Sequence, residues 1–348
     1  MTIAGPMSRF LDAAQGRPVD VTPVWLMRQA GRSLPEYRKL RERHSLADIV
    51  AQPELCAEVT LQPVHRLGVD AAVMFADIML PLGGMGVDFE LVENVGPVIA
   101  HPITSPEDVR RLRVPPGGEA APQVIAAVRH VVAESPVPVI CFAGAPFTLA
   151  SYLIEGRPSR SFERVKAFMF TQPEAFDLLL DKLARTMGEY LNAQVAAGAQ
   201  AVQLFDSWVG TLAAEDYKTR VAPHTRAIFD ALAPSGVPRI HFGTDTNHLL
   251  EAIAETGPDI VSLDWRVPLD AGWRRIGPDR GVQGNLDPGV LLGPAELVRE
   301  RTKDVLRRAA GRAGHVFNLG HGVPPEAGVE NLQLLVETVH SWVPANVS

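Results

Sequence analysis

The chain has 348 residues, with 33 Lys and Arg against 40 Asp and Glu, a formal net charge of −7. With 46% hydrophobic and 21% charged residues it has ordinary globular composition, which excludes a disordered or collagen-like chain. An acidic balance disfavours nucleic acid or an anionic membrane as partner. Two cysteines, Cys56 and Cys141, exclude a disulfide framework and a four-cysteine zinc site. Residues 1–10 lack a cationic stretch followed by an apolar run, and no stretch nears the 18 or so apolar residues of a membrane span. The expectation is a soluble, cytoplasmic protein.

Eight apolar or β-rich runs occur in chain order, at 21–27, 71–76, 137–143, 201–205, 239–243, 260–263, 281–284 and 315–319. Helical periodicity is predicted between most of them, over 46–67, 123–134, 174–198, 214–232, 249–255, 295–310 and 326–342. The clearest case is 174–198, where Phe176, Leu179, Leu180, Leu183, Met187, Leu191 and Val195 recur at spacings of three and four. Alternating strands and helices imply parallel pairing with right-handed crossovers. Eight such units suggest a single (β/α)₈ TIM barrel over residues 1–348 rather than a doubly wound sheet, since no glycine-rich dinucleotide fingerprint follows the first run. Between 78 and 136 the chain is too long for one crossover. A hairpin excursion after the second strand is predicted there, from 89–92 and 98–100 around Glu93-Asn94-Val95-Gly96, and Pro115-Pro116-Gly117-Gly118 reads as a loop.

Barrel enzymes place their catalytic groups at the carboxyl ends of several strands. Those ends carry Arg28 and Arg32, Asp77, Asp206 and Ser207, Asp245, Asp264, Asn285 and Asp287, and His321. Asp245 and Asp287 read as helix caps. Residues 28–43 hold six cations against two carboxylates in an acidic chain. Arg38, Lys39 and Arg43 fit a solvated helix face, whereas Arg28 and Arg32 flank Gln29-Ala30-Gly31 straight after an apolar run. There they can offer two guanidinium forks to a polycarboxylate or phosphate, or form structural salt bridges. Asp77 is the only charge between Asp70 and Asp88, so it either caps a turn or faces a cavity whose ligand brings N–H donors or positive charge. His321 sits between two glycines, which suits a site more than a core. Tyr152 alone is unremarkable.

The five lysines all fall on helical segments, which disfavours Schiff-base and pyridoxal-phosphate chemistry. No His-x-His ends the first run and no two cysteines could share a metal at a strand end, so no metal site is expected. What remains is chemistry by carboxylate, guanidinium, phenol and imidazole.

Four segments resemble the uroporphyrinogen decarboxylase family. They are Pro23-Val24-Trp25-Leu26-Met27-Arg28-Gln29-Ala30-Gly31-Arg32 continuing through Leu34-Pro35-Glu36-Tyr37-Arg38, Ala145-Pro146-Phe147-Thr148-Leu149-Ala150-Ser151-Tyr152, Phe205-Asp206-Ser207-Trp208, and Phe317-Asn318-Leu319-Gly320-His321-Gly322. The first is long and highly specific, and together they span about residues 20 to 340. Ser33 departs from the aromatic residue common in the family. The resemblance implies a single barrel, a cytoplasmic homodimer, no cofactor, and removal of four acetate carboxyls from uroporphyrinogen III to give coproporphyrinogen III on the route to haem. It implies substrate contacts at Arg28, Gln29, Ala30, Gly31, Arg32, Arg41, Asp77, Tyr152, Ser207 and His321, with Asp77 and Arg28 catalytic.

Two rivals remain. A zinc-dependent corrinoid methyltransferase of the same superfamily would need a His-x-Cys near the fifth strand and a later cysteine, where this chain has His241-Phe242-Gly243 and none after Cys141. A non-catalytic tetrapyrrole carrier would need the arginines but not Asp77.

Overall fold

A computed structural model describes residues 8–92 and 95–343. Seven parallel strands form one curled sheet in the order β1 (Ala72–Val73), β4 (Val139–Gly144), β5 (Ala201–Asp206), β6 (Arg239–Gly243), β7 (Ile260–Ser262), β8 (Gly281–Gln283) and β9 (His315–Val316). The antiparallel pair β2 (Phe89–Val92) and β3 (Gly96–Ile99) stands apart, with Phe89 opposite Ile99. This is the expected hairpin, although Glu93 and Asn94 of its turn lie outside the described residues.

The predicted strand over 21–27 is a single parallel bridge between Val24 and Phe317. Pro23 has no N–H to give a ladder, and the Val24 N–H donates instead to the Asp70 carboxylate at 2.7 Å. The segment still reaches both margins of the sheet. Phe317 N–H donates to Pro23 O on the β9 side, and Asp70 N–H donates to Val24 O just before β1. Asp70 also accepts from Arg9 and contacts His340 at 2.8 Å, tying the first and last helices to this junction.

Other differences follow local chemistry. The predicted helix 46–67 is two, Leu46–Ala51 and Pro53–Leu67, because the residue before a proline is pushed out of helical geometry and Gln52 is extended. The predicted helix 214–232 contains a π-helical stretch, Tyr217–Val221, just ahead of Pro223. Gly117 and Gly118 begin a short helix, Gly117–Ala120, rather than a loop. A Cβ on Gly117 would fall 2.1 Å from Glu189 O on the long helix Pro173–Ala196, so only glycine permits that approach.

Strand alternation sorts the core. Ile140, Ala201, Ile240, Phe242 and Ile260 point inward with Trp25 and Met27, and Phe10 of the first helix joins this cluster. Intervening residues such as Cys141, Val202, Leu204 and Val261 face the surrounding helices. One inward layer is polar and linked by hydrogen bonds. The Gln283 amide donates to Gln203 and Ser262 while its oxygen accepts from the Trp25 indole at 3.0 Å.

His315 in β9 is buried, its Nε2 3.0 Å from Gly284 O, and burial pushes its imidazole down to about 4 against the opposing effect of that carbonyl. The unfolded chain then takes up a proton near pH 6.5 that the folded chain refuses until about pH 4. Stability should therefore fall as pH drops through this window. In urea unfolding across pH 4–7, His315→Gln should flatten that dependence; an unchanged pH slope would contradict it.

Candidate active site

The turn at Arg28 is set from two sides. The Gln29 carboxamide oxygen accepts from Leu26 N–H at 2.9 Å, and its nitrogen donates to Ala71 O at 3.0 Å beside β1. Asn318 Oδ1 accepts from Met27 N–H at 3.0 Å and Leu319 N–H at 2.8 Å on the β9 side. Between these pins Arg28 adopts φ +59°, a left-handed backbone that costs a side-chain-bearing residue about 1–3 kcal/mol. The expected permissive glycine, Gly31, does not take this conformation; Arg28 does. The Gln29 side chain and N–H are occupied by the fold, and the residue is fully buried.

Asp77 follows β1 on a segment held by the helix Pro53–Leu67. Phe75 N–H donates to Thr60 Oγ1 at 3.0 Å, and the Cys56 thiol donates to Phe75 O at 3.1 Å. Asp77 Oδ1 accepts from Met79 N–H at 2.9 Å and so caps the turn into the helix Leu80–Gly84. Its second oxygen has no hydrogen bond among the described residues. Burial raises the Asp77 carboxyl above its ordinary range, while the Met79 N–H and the Arg28 charge oppose that rise. Of the two alternatives for Asp77, the turn is therefore observed at Oδ1.

Tyr152 lies on the helix Pro146–Glu155 with its ring 6.0 Å from that of Trp208. Burial raises its phenol first, and among nearby charges Asp77 raises it and Arg28 lowers it. His321 follows β9 and is pushed down to about 4, first by burial and then by the Arg28 and Arg266 charges, with Asp264 acting the other way. Near pH 7 it is a neutral imidazole, a hydrogen-bonding group rather than a cation. Its flanking glycines serve close packing more than freedom. A Cβ on Gly320 would lie 2.3 Å from Trp265 N, and one on Gly322 would lie 2.5 Å from Arg28 Cδ.

Arg28, Asp77, Tyr152 and His321 are therefore close enough to bias one another's charge. Ser207 adjoins this group, its carbonyl accepting from Thr244 Oγ1 and the next residue, Trp208, packing on Tyr152. Arg32 and Arg41 line a separate cavity of about 200 Å³ with Arg38 and Glu42, where Arg41 donates to the Tyr37 hydroxyl at 3.2 Å. Ala30 and Gly31 are half-buried in the turn between the two arginines.

One of the two expected caps changes. Asp287 does cap, accepting from Gly289 N–H at 2.9 Å. Asp245 does not: it has φ +58°, its N–H donates to Asp264, and its exposed carboxylate points toward Arg266 at 3.9 Å. Sequence reasoning also missed Trp265 and Arg266, although they directly follow Asp264 at the end of β7, the position that marked the other candidates.

Asp206 faces away from the mouth. It is fully buried, with Oδ1 accepting from Thr148 Oγ1 at 2.8 Å and Oδ2 3.6 Å from His241 Nε2. Thr148 Oγ1 in turn accepts from Trp208 N–H at 3.2 Å, so Asp206 fixes the turn that carries Ser207. His241, between the inward residues Ile240 and Phe242, points outward against Phe229 at 6.2 Å. Asp206→Ala should cost about 1–3 kcal/mol by leaving the buried Thr148 hydroxyl without its acceptor. Asp206→Asn keeps the acceptor for Thr148 and should cost less. Equal unfolding midpoints for the two variants would contradict this role.

Comparison with known proteins bears on the family. The uroporphyrinogen decarboxylase family model matches residues 5–342. Proteins named uroporphyrinogen decarboxylase from Carboxydothermus hydrogenoformans (51% identical, 95% of each chain covered), Thermobifida fusca (54%; 96% of this chain, 92% of the relative) and Thermus thermophilus (52%; 95% and 96%) are similar to it. Among solved structures, a methyltransferase from Methanosarcina mazei superposes with TM-score 0.80 at 21% identity over 95% of this chain and 97% of its own. A B12-independent methionine synthase from a Shewanella species superposes with TM-score 0.55 at 11% identity over 85% and 88%. At such identities the likeness is one of fold alone. By the family model and by identity above half along nearly its whole length, the chain belongs to the uroporphyrinogen decarboxylase family.

Proposed function

We propose that this protein decarboxylates the four acetate side chains of uroporphyrinogen III to give coproporphyrinogen III. The observation that carries this is Asp77, a carboxylate in apolar surroundings with one oxygen capping a turn and the other unclaimed, beside the Arg28 charge. Such a group is costly unless its ligand brings N–H donors or positive charge. A porphyrinogen brings both, through pyrrole N–H groups that turn inward and a ring that becomes cationic when protonated at an α-carbon.

Protonation makes the ring an electron sink. The bond between the acetate methylene and its carboxylate then breaks, its electron pair flows into the ring and CO₂ leaves; a proton adds to the methylene to complete the methyl group, and loss of the α-carbon proton restores the aromatic pyrrole. Asp77 stabilises the cation as it forms, electrostatic preorganisation of opposite sign to an oxyanion hole. Arg28 is the partner of the reacting acetate. Arg32, Arg41, the Ala30-Gly31 backbone in the turn that Gln29 fixes, Tyr152, Ser207 and neutral His321 hold the remaining carboxylates by hydrogen bonds or charge. Nothing in these steps calls on a cofactor, and both cysteine thiols are buried and raised by burial.

The same proposal includes the finer architecture. Residues 21–27 act as the eighth stave of a closed (β/α)₈ barrel, whose single catalytic domain spans residues 1–348, with β2 and β3 as an excursion. It also includes a homodimeric, cytoplasmic enzyme.

The test is to incubate metal-stripped protein with uroporphyrinogen and follow stepwise CO₂ release, which should reach four per substrate. No release, or release that requires one added metal, would contradict the proposal. In the same assay Arg28→Ala and Arg32→Ala should each lose roughly ten- to a hundredfold in kcat/KM while staying folded, since one charge-assisted hydrogen bond is worth about 1.5–3 kcal/mol. Variants that unfold yet keep full activity in the folded fraction would make these arginines structural.

A further inference from the structure

The end of β7 presents a third guanidinium to the mouth. Asp264 is 3% exposed, and its carboxylate accepts from three donors: Arg266 N–H at 2.9 Å, Arg266 Nη1 at 2.7 Å, and the Asp245 N–H. That anchors one arm of the Arg266 fork. The guanidinium carbon also lies 4.1 Å from the centre of the Trp265 ring, a cation–π contact that fixes its plane. Trp265 packs edge-on against His321, with ring centres 6.4 Å apart, and Gly320 brings the backbone ahead of His321 directly onto Trp265 N. Arg266, Trp265 and His321 thus form one continuous stack beside the site.

The Arg266 side chain is 43% exposed. Its Nη2 has no partner among the described residues, and its Nε is 3.9 Å from the solvated Asp245 carboxylate. An arginine held at one arm and stacked on indole is preorganised, so engaging a further anion orders little side chain.

We propose that Arg266 binds one carboxylate of the bound porphyrinogen beside His321, making the Asp264-Trp265-Arg266 run a determinant of how tightly a polycarboxylate is held. The assignment rests on the proposed decarboxylase function. The charge that bears on Asp77 is that of Arg28, so the reacting acetate belongs to Arg28. Arg266 bears on His321 and takes a carboxylate that is not lost in that turnover.

The experiment compares Arg266→Gln and Arg266→Lys with wild type in steady-state decarboxylation of uroporphyrinogen, alongside an NMR titration of the His321 ring in the free protein. Both variants leave the Arg266 and Asp245 N–H groups to satisfy Asp264. Arg266→Gln should raise KM roughly fivefold or more with kcat within about twofold, as expected when binding of a non-reacting group is lost. Arg266→Lys keeps the charge without the planar fork and should fall between. His321 should titrate higher in Arg266→Gln than its wild-type value near 4 and stay low in Arg266→Lys. A KM for Arg266→Gln within twofold of an active wild type overturns the proposal, whatever the NMR shows. Absence of turnover in the wild type would instead remove the decarboxylase function on which it rests.

Discussion

The arrangement of the mouth depends on the left-handed turn at Arg28. A side-chain-bearing residue stays in that conformation only where its surroundings over-determine it. Here Gln29 ties the turn to the chain before β1 and Asn318 ties it to the chain after β9. These are the two margins of the sheet, so the pins that strain Arg28 also bring Asp77 and His321 to either side of it. Gly322 completes the fit, because any larger residue would collide with the Arg28 stem. The link between the two sheet margins and the geometry of the candidate site are in this sense one constraint.

A second constraint is the alternation of strand residues. At the end of β5, Asp206 points outward to Thr148 and His241 while Phe205 packs with the inward cluster. A carboxylate next to a proposed substrate contact thus serves the scaffold, and it does so by fixing the Trp208 amide that follows Ser207. The outward orientation of His241 follows the same rule and places it with the helices, away from Arg28 and Asp77.

Much of this was legible in the sequence, for physical reasons. Seven of the eight apolar runs are strands because continuous apolar segments between amphipathic helices must be buried on both faces. The run at 21–27 is reduced to one bridge because Pro23 has no N–H and the Val24 N–H goes to the Asp70 carboxylate. The charged mouth residues stood out because isolated charges in apolar segments need partners. Pattern alone could not tell that Arg28, rather than Gly31, takes the positive φ, or that Asp245 lies beside Arg266 instead of capping a helix. Both outcomes depend on contacts between segments far apart in the chain. Trp265 and Arg266 escaped notice for the same reason, since their meaning comes from His321, more than fifty residues later.

The central claim is that the Asp77 charge works on the reacting ring while its other oxygen only shapes a turn. Because the cap uses Oδ1 alone, Asp77→Asn retains it and removes the charge. The decisive measurement is single-turnover decarboxylation of saturating uroporphyrinogen by Asp77→Asn and Asp77→Glu, each checked for wild-type folding. Asp77→Asn should be slower than wild type by roughly a hundred- to a thousandfold, the cost of losing one preorganised electrostatic partner, and Asp77→Glu should retain more activity than Asp77→Asn. A near-wild-type rate for Asp77→Asn would contradict it.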